Sequence, residues 1–165
     1  MRILVTTSTY FPTIGGQELV VENLVRRLSE RGNFVVLMMP LRSWLNHWIT
    51  GKGSLKLIPA PPFQIKIATS NSVLLQKVWQ WYFQFLLFIF KIDVVSSHGF
   101  FPSGVLVAKG IVGQRCPHIA CCHGVDIQID RVSSYGMRLN NDIDLIVMKF
   151  IHQVDRLIAI SASVK

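Results

Sequence analysis

Cysteine is scarce in this 165-residue chain: there are three, Cys116, Cys121 and Cys122. Their odd number and the lack of a Cys-x-x-Cys spacing indicate neither a disulfide framework nor a zinc module. They read as small buried hydrophobes in a reducing compartment. Acidic residues are also few, 9 against 17 Lys and Arg, for a net charge of +8. None lies between Arg31 and Ile92, where Arg31, Arg42, Lys52, Lys56, Lys66, Lys77 and Lys91 predict one strongly cationic face. No apolar run reaches the roughly 20 residues of a membrane span, and the greasiest stretch, Val78 to Phe90, is broken by Gln80 and Gln84. Met1-Arg2 leads straight into an apolar strand with no long hydrophobic leader or small-residue cleavage site, so the expected location is cytoplasmic, peripheral on the inner face of a membrane. Internal repeats and low-complexity tracts are lacking. A nucleic-acid role for the net charge ranks last, because the aromatics sit in a greasy helical run and no recognition motif accompanies them.

What is present is half hydrophobic, with a mean hydropathy of +0.40. The length fits one domain with a substantial core. Strand-length apolar runs recur at Ile3 to Thr6, Phe34 to Met39, Leu55 to Ile58, Val94 to Ser97, His118 to Cys122 and Leu157 to Ile160. They are continuous rather than alternating, as in strands covered on both sides, and helix-period segments separate most of them. The fold class this predicts is α/β, a Rossmann-like parallel sheet with helices on both faces. The first helix has Val20, Val21, Leu24, Val25 and Leu28 on one side and Glu22, Arg26, Arg27 and Glu30 on the other, with Gly32 as its C-terminal stop. Further helices are expected near 71–91, 102–112 and 139–154, and residues 41–70 read as an irregular excursion around one short strand. In the 71–91 helix the polar residues Gln76, Lys77, Gln80, Gln84 and Lys91 share a sector of roughly 100°, which reads as a thin solvated stripe on a core helix or on a helix lying in a membrane interface.

Three places carry candidate chemistry. The loop Tyr10 to Glu18, with Gly15-Gly16 between the first strand and the first helix, puts free backbone N–H groups and a positive dipole end at the carboxyl edge of the sheet, where α/β proteins bind ligands. The competing explanation is a turn that needs positive φ. His123-Gly124-Val125-Asp126 follows the fifth strand. There an imidazole can donate to a sugar hydroxyl or phosphate, and a carboxylate can accept from a hydroxyl or orient the ring. His98-Gly99 repeats the arrangement after the fourth strand. Finally, Asp155 to Ser161 reads as a strand followed by a serine that starts a new helix.

In order along the chain, Phe11-Pro12 through Gly15-Gly16 and Glu18, then Asp93-Val94-Val95 leading to His98, then His123 to Asp126, then Asp155 to Ser161 with Val164-Lys165, resemble the N-terminal half of GT-B glycosyltransferases of family 4. The resemblance implies a retaining, metal-independent transferase that uses a nucleotide sugar and is built of two Rossmann-like domains facing a cleft. Residues 1–165 would be the acceptor-side domain, and the C-terminal nucleotide-sugar-binding domain is absent from this chain. By that likeness Gly15 and Gly16 approach the donor diphosphate and the acceptor. His123 and Asp126 would be the catalytic residues, with His123 on the transferring sugar and Asp126 shaping its pocket. Gly15, Gly16, Glu18, His98 and Gly124 would bind substrate. No cofactor or metal is implied. The partners are a nucleotide-sugar donor, a glycan or lipid-linked acceptor, the missing domain and an anionic membrane surface near residues 31–92, with no nucleic acid.

Two departures bear on this. After the first helix the chain has Gly32-Asn33-Phe34-Val35 where the family has Gly-His, an acid and valine. The glutamate pair seven residues apart that the family uses for the donor has only a coincidental counterpart in Glu22 and Glu30, which lie on the solvated face of the first helix. The expected function is the acceptor-side half of a glycosyltransferase of cell-envelope polysaccharide or glycolipid synthesis, with a lipid-linked or membrane-borne acceptor, inactive by itself. The alternative is a non-catalytic binding module or subunit whose partner completes the donor site. A nicotinamide or flavin oxidoreductase would need Gly-x-Gly-x-x-Gly directly after the first strand; here the glycines are adjacent and come late.

Overall fold

A computed structural model describes residues 1–50 and 55–160. Six strands, β1 (Arg2–Thr7), β2 (Phe34–Pro40), β3 (Lys56–Ala60), β4 (Val94–His98), β5 (His118–Cys122) and β6 (Arg156–Ala159), form one sheet in the order β3-β2-β1-β4-β5-β6. Every pairing is parallel. The chain moves outward from β1 to β3, then returns to place β4 beside β1. Neighbouring connections therefore leave β1 in opposite directions and open a crevice at the carboxyl ends of β1 and β4, the usual ligand position in such sheets.

Side chains alternate across the sheet. Ile3, Val5, Val35, Leu37 and Met39 pack beneath Val21 and Val25 of α1 (Gly16–Glu30). Leu4, Val36, Met38, Val95, Ala120 and Cys122 face the opposite layer, made of α3 (Gln64–Thr69), α4 (Val73–Phe90), α5 (Val105–Gly110) and α6 (Asn141–Ile151). Burial on both sides explains the unbroken apolar strands. Gly32, at φ +78, takes the left-handed turn after α1, as expected of a C-terminal stop. Cys121 and Cys122 are buried and Cys116 is half-buried, all as free thiols.

The excursion expected over 41–70 is more ordered than that: α2 (Leu41–Thr50) precedes β3, and α3 follows it. The short helix expected from 102 is split into an irregular turn over Phe100–Gly104 and α5. The helix start expected at Ser161 lies outside the described residues, as does Lys52. The cationic residues do not gather on one face. Arg31, Lys56 and Lys91 sit at the amino edge of the sheet, whereas Arg42 and Lys66 follow β2 and β3 at its carboxyl edge. Strand direction separates residues that are close in sequence.

The inner side of α4 belongs to the core: Trp79, Phe83, Leu86 and Leu87 are buried, and the Trp79 Nε1–H donates to Leu106 O at 2.7 Å. α5 approaches closely because Gly110 has no side chain; a methyl there would come within 2.6 Å of the Phe83 ring. The solvated stripe expected on α4 is corrected. Gln76, Gln80 and Gln84 are half-buried and donate to Ser70 O, Val112 O and Gly110 O. The outward face is instead apolar: Leu74, Val78, Trp81, Phe85 and Phe88 lie within about 80° and are exposed, with Trp81 and Phe85 stacked at 5.6 Å. A helix that is apolar nearly all round gives no periodic clue to which sector meets the core. Here amide side chains serve neighbouring backbone carbonyls, and the remaining apolar sector is left outside. By length and composition α4 is the one helix among the described residues that could span a membrane.

Candidate functional site

The loop after β1 is tied down from beneath. Tyr10 is buried with its hydroxyl on the Glu22 carboxylate and its ring edge-on to Phe11, and the Ser43 hydroxyl donates to Tyr10 O at 3.3 Å. Glu30 pairs with Arg26 at 2.7 Å. Both members of the apparent Glu22 and Glu30 motif are thereby accounted for without a ligand.

At the start of α1, Gly15 is extended (φ −155, ψ −177), and neither Gly15 nor Gly16 has positive φ. The glycine pair is not there to satisfy a left-handed turn. A Cβ on Gly15 would fall 2.7 Å from Glu18 Oε2, whereas one on Gly16 would meet nothing within 4 Å. Gly15 makes room for Glu18, and Gly16 leaves the helix end open toward the cleft. No side chain caps this N-terminus, so its first N–H groups and dipole face the crevice.

Register brings the histidines to the same place. Thr7 pairs with His98, and His98 with Cys121. His123 lies two residues beyond Cys121, on the same side. His98 Nδ1 is 3.1 Å from His123 Nε2, so one proton is shared between two neutral rings. Burial, with the neighbouring His123, lowers the His98 pKa from 6.5 to about 4. Burial also lowers that of His123, while Asp126 and Glu18 oppose the shift. The second ring nitrogen of His98 is buried without a protein partner. Glu18 is only 5% exposed, and its charge reaches His123.

Asp126 sits beneath the pair. Its Oδ1 accepts from His123 N at 2.9 Å, its Oδ2 accepts from Phe100 N, and it is 2% exposed. It links the loop after β4 to the loop after β5 and sets the height of His123, with no oxygen turned to the cleft. Gly124, at φ +107, forms that turn, its carbonyl accepting from Ile127 N and Gln128 N at 2.9 and 2.8 Å. The sequence reading did not single out Gln17, whose Nε2 donates to Thr7 Oγ1 at 3.0 Å and His98 O at 3.1 Å, joining α1 to β1 and β4. Gly99, at φ +81, leaves space for that amide. Nothing in the spacing of Gln17 announces the role. Cys121 was also missed, although its two-residue separation from His123 on a strand signals a shared face.

The structure thus brings Gly15, Gly16, Glu18, His98, His123 and Asp126 to one crevice, with Gly124 shaping its floor. As a potential metal centre, His98, Cys121 and His123 place three donor atoms within 4.8 Å of one another. This is a nitrogen and sulfur set that suits zinc, unlike the oxygen set preferred by magnesium on a diphosphate.

A parallel sheet in the order 3-2-1-4-5-6 with a switch-point crevice defines a Rossmann-like α/β domain. The profile of Glycosyltransferase Family 4 matches residues 14–165, and the chain belongs to that family. It is a glycosyltransferase-type domain. No curated protein matches the sequence. Among solved structures, the UDP-GlcNAc 2-epimerase of Methanocaldococcus jannaschii aligns over 98% of this chain and 40% of its own, with 11% identity and a TM-score of 0.56. Acinetobacter baumannii MurG aligns over 99% and 42%, with 9% identity and a TM-score of 0.55. The protein MT0777 aligns over 96% and 84%, with 9% identity and a TM-score of 0.52. The chain spans about two fifths of the epimerase and MurG, and at these identities the likeness is one of fold.

Proposed function

We propose that these residues are the acceptor-side domain of a retaining, nucleotide-sugar-dependent glycosyltransferase of envelope polysaccharide or glycolipid synthesis. The crevice is half of its active site. The observation that carries this reading is the open α1 N-terminus facing the His98–His123 pair across a switch-point crevice within a Glycosyltransferase Family 4 domain. A second Rossmann-like domain presents the donor. The acceptor hydroxyl approaches the anomeric carbon from the side on which the diphosphate leaves. The bond from that carbon to the phosphate oxygen breaks as the bond to the acceptor oxygen forms, and the hydroxyl proton passes to the departing diphosphate. Charge on the diphosphate is met by the N–H groups at Gly15 and Gly16 and by cations of the other domain, without a metal. His123 hydrogen-bonds the transferring sugar, held by Asp126 beneath and His98 beside it.

The chain by itself is expected to turn over no nucleotide sugar. In the protein that carries both halves, His123→Ala should lower kcat/KM by about ten- to a hundredfold, the worth of one hydrogen bond of about 1.5–3 kcal/mol, with the thermal midpoint little changed. Turnover by the isolated chain, or full activity in the variant, would overturn the reading.

Peripheral association with an anionic membrane belongs to the same proposal. It is supported by the exposed apolar face of α4, with the exposed Lys77 in its first turns and Lys91 at its C-terminal cap. Flotation with liposomes should show salt-sensitive binding to anionic vesicles, weakened by Trp81→Ser with Phe88→Ser. Equal absence of binding to anionic and neutral vesicles would reject it.

A further inference from the structure

At the carboxyl edge of β2 and β3, beside the crevice, lies a groove of about 950 Å³. Ser8 and Thr9 of the loop after β1 and Pro102 after β4 line part of it, so it adjoins the strand ends that carry the site just described. Its walls are apolar and outwardly unsatisfied: Leu45 on α2 is 43% exposed, Ile65 on α3 is 56% exposed, and Phe63 is 76% exposed. Phe63 is also held in a left-handed conformation (φ 64, ψ 38), which costs a non-glycine residue about 1–2 kcal/mol. An aromatic ring is thus placed in water by a strained backbone at the mouth of an apolar channel. Rigid prolines, Pro40, Pro61 and Pro62, frame the same mouth.

The charge of the groove is of one sign. Arg42 and Lys66 are its only ionic lining residues, both exposed and without an ion pair among the described residues, and no Asp or Glu lines it. An occupant that fits is apolar along its length and anionic at one point. A free glycan offers neither feature, and an uncharged lipid leaves both cations unmatched.

We propose that this groove binds a long-chain lipid phosphate as the sugar acceptor. The hydrocarbon lies along Leu45, Phe63 and Ile65. The phosphate is held by Arg42 and Lys66, and the head group bearing the reacting hydroxyl points past Ser8 to the Gly15–Gly16 loop. This rests on the transferase reading and names the acceptor class of that site. Arginine and lysine bind phosphate through charge-assisted hydrogen bonds, and the apolar wall supplies the chain-length dependence.

The test is calorimetric titration of the chain with dodecyl phosphate below its micelle concentration, against dodecanol and inorganic phosphate. Dodecyl phosphate should bind at least about tenfold more tightly than either. Arg42→Ala with Lys66→Ala, and separately Leu45→Ser with Ile65→Ser, should each lose about tenfold in affinity. All four positions are at the surface, and circular dichroism confirms folding. Unchanged affinity in both double variants, or binding seen only above the micelle concentration or only to vesicles, would overturn the groove assignment. In the protein with both halves, equally fast transfer to a lipid-free glycan overturns the lipid acceptor and leaves the transferase intact. Dodecyl phosphate binding to the chain, with no sugar transfer to any acceptor by the protein that carries both halves, leaves the groove intact and sinks the transferase.

Discussion

Between pH 7 and pH 4.5 the domain is expected to lose about 5 kcal/mol of folding stability, most of it through two buried histidines. Burial lowers His118 from 6.5 to about 4, with Asp155 opposing, and burial together with His123 lowers His98 to about 4. His118 lies in the core, its Nε2 2.8 Å from Ser97 Oγ, and its other ring nitrogen has no protein partner. Below 6.5 the unfolded chain takes up a proton on each ring while the native state does not. The stability is therefore whole above 6.5 and declines as pH falls toward 4. Each ring contributes at most about 1.4 kcal/mol per pH unit over that window. Against a total of about 5–15 kcal/mol for an ordinary domain, the loss should bring the protein close to unfolding. Urea titrations followed by circular dichroism at fixed ionic strength check this, and His118→Gln should remove about half of the slope. A stability that stays level from pH 6.5 to 4.5 would refute it.

Asp126→Ala is expected to destabilise the domain by about 3–5 kcal/mol, from two lost hydrogen bonds to a buried carboxylate at about 1.5–3 kcal/mol each. The two orphaned donors would be Phe100 N and His123 N. At about 2–4 °C per kcal/mol for a chain of this size, the thermal midpoint should fall by about 6–20 °C. The loops after β4 and β5 would also separate, breaking the His98–His123 contact. Proton NMR should then find both rings titrating nearer 6.5. Asp126→Asn recovers only part of the loss, because its amide nitrogen opposes one of the two N–H donors. An unchanged midpoint with unchanged histidine titrations would show that Asp126 does not hold the site together.

The strands and α1 were legible because each has one dominant signal: an unbroken apolar run for a strand covered on both sides, or a 3.6-residue apolar period. α2 carried such a period in Leu41, Trp44, Leu45, Trp48 and Ile49, but the nearby Pro59, Pro61 and Pro62 drew the reading toward a loop. In α4 the period itself was uninformative, since apolar residues occupy most of the helix circumference. The crevice residues Gly15, Gly16, His98 and His123 could be named from strand ends alone. The work of Gln17 could not, because one glutamine at the start of a helix looks like any other.

The amino-acid sequence by itself determined a parallel α/β sheet and which residues stand at its carboxyl edge, since apolar runs and the residues that end them are local properties of the chain. Whether a polar group serves a ligand or the fold is decided by its partners, and those come from distant segments. Asp126 is turned toward two backbone N–H groups, Glu22 toward Tyr10, and the glutamines of α4 toward carbonyls on neighbouring elements. The glycine pair stands the other way round: its backbone needs no special φ, so what the tertiary structure assigns to Gly16 is open space facing the crevice.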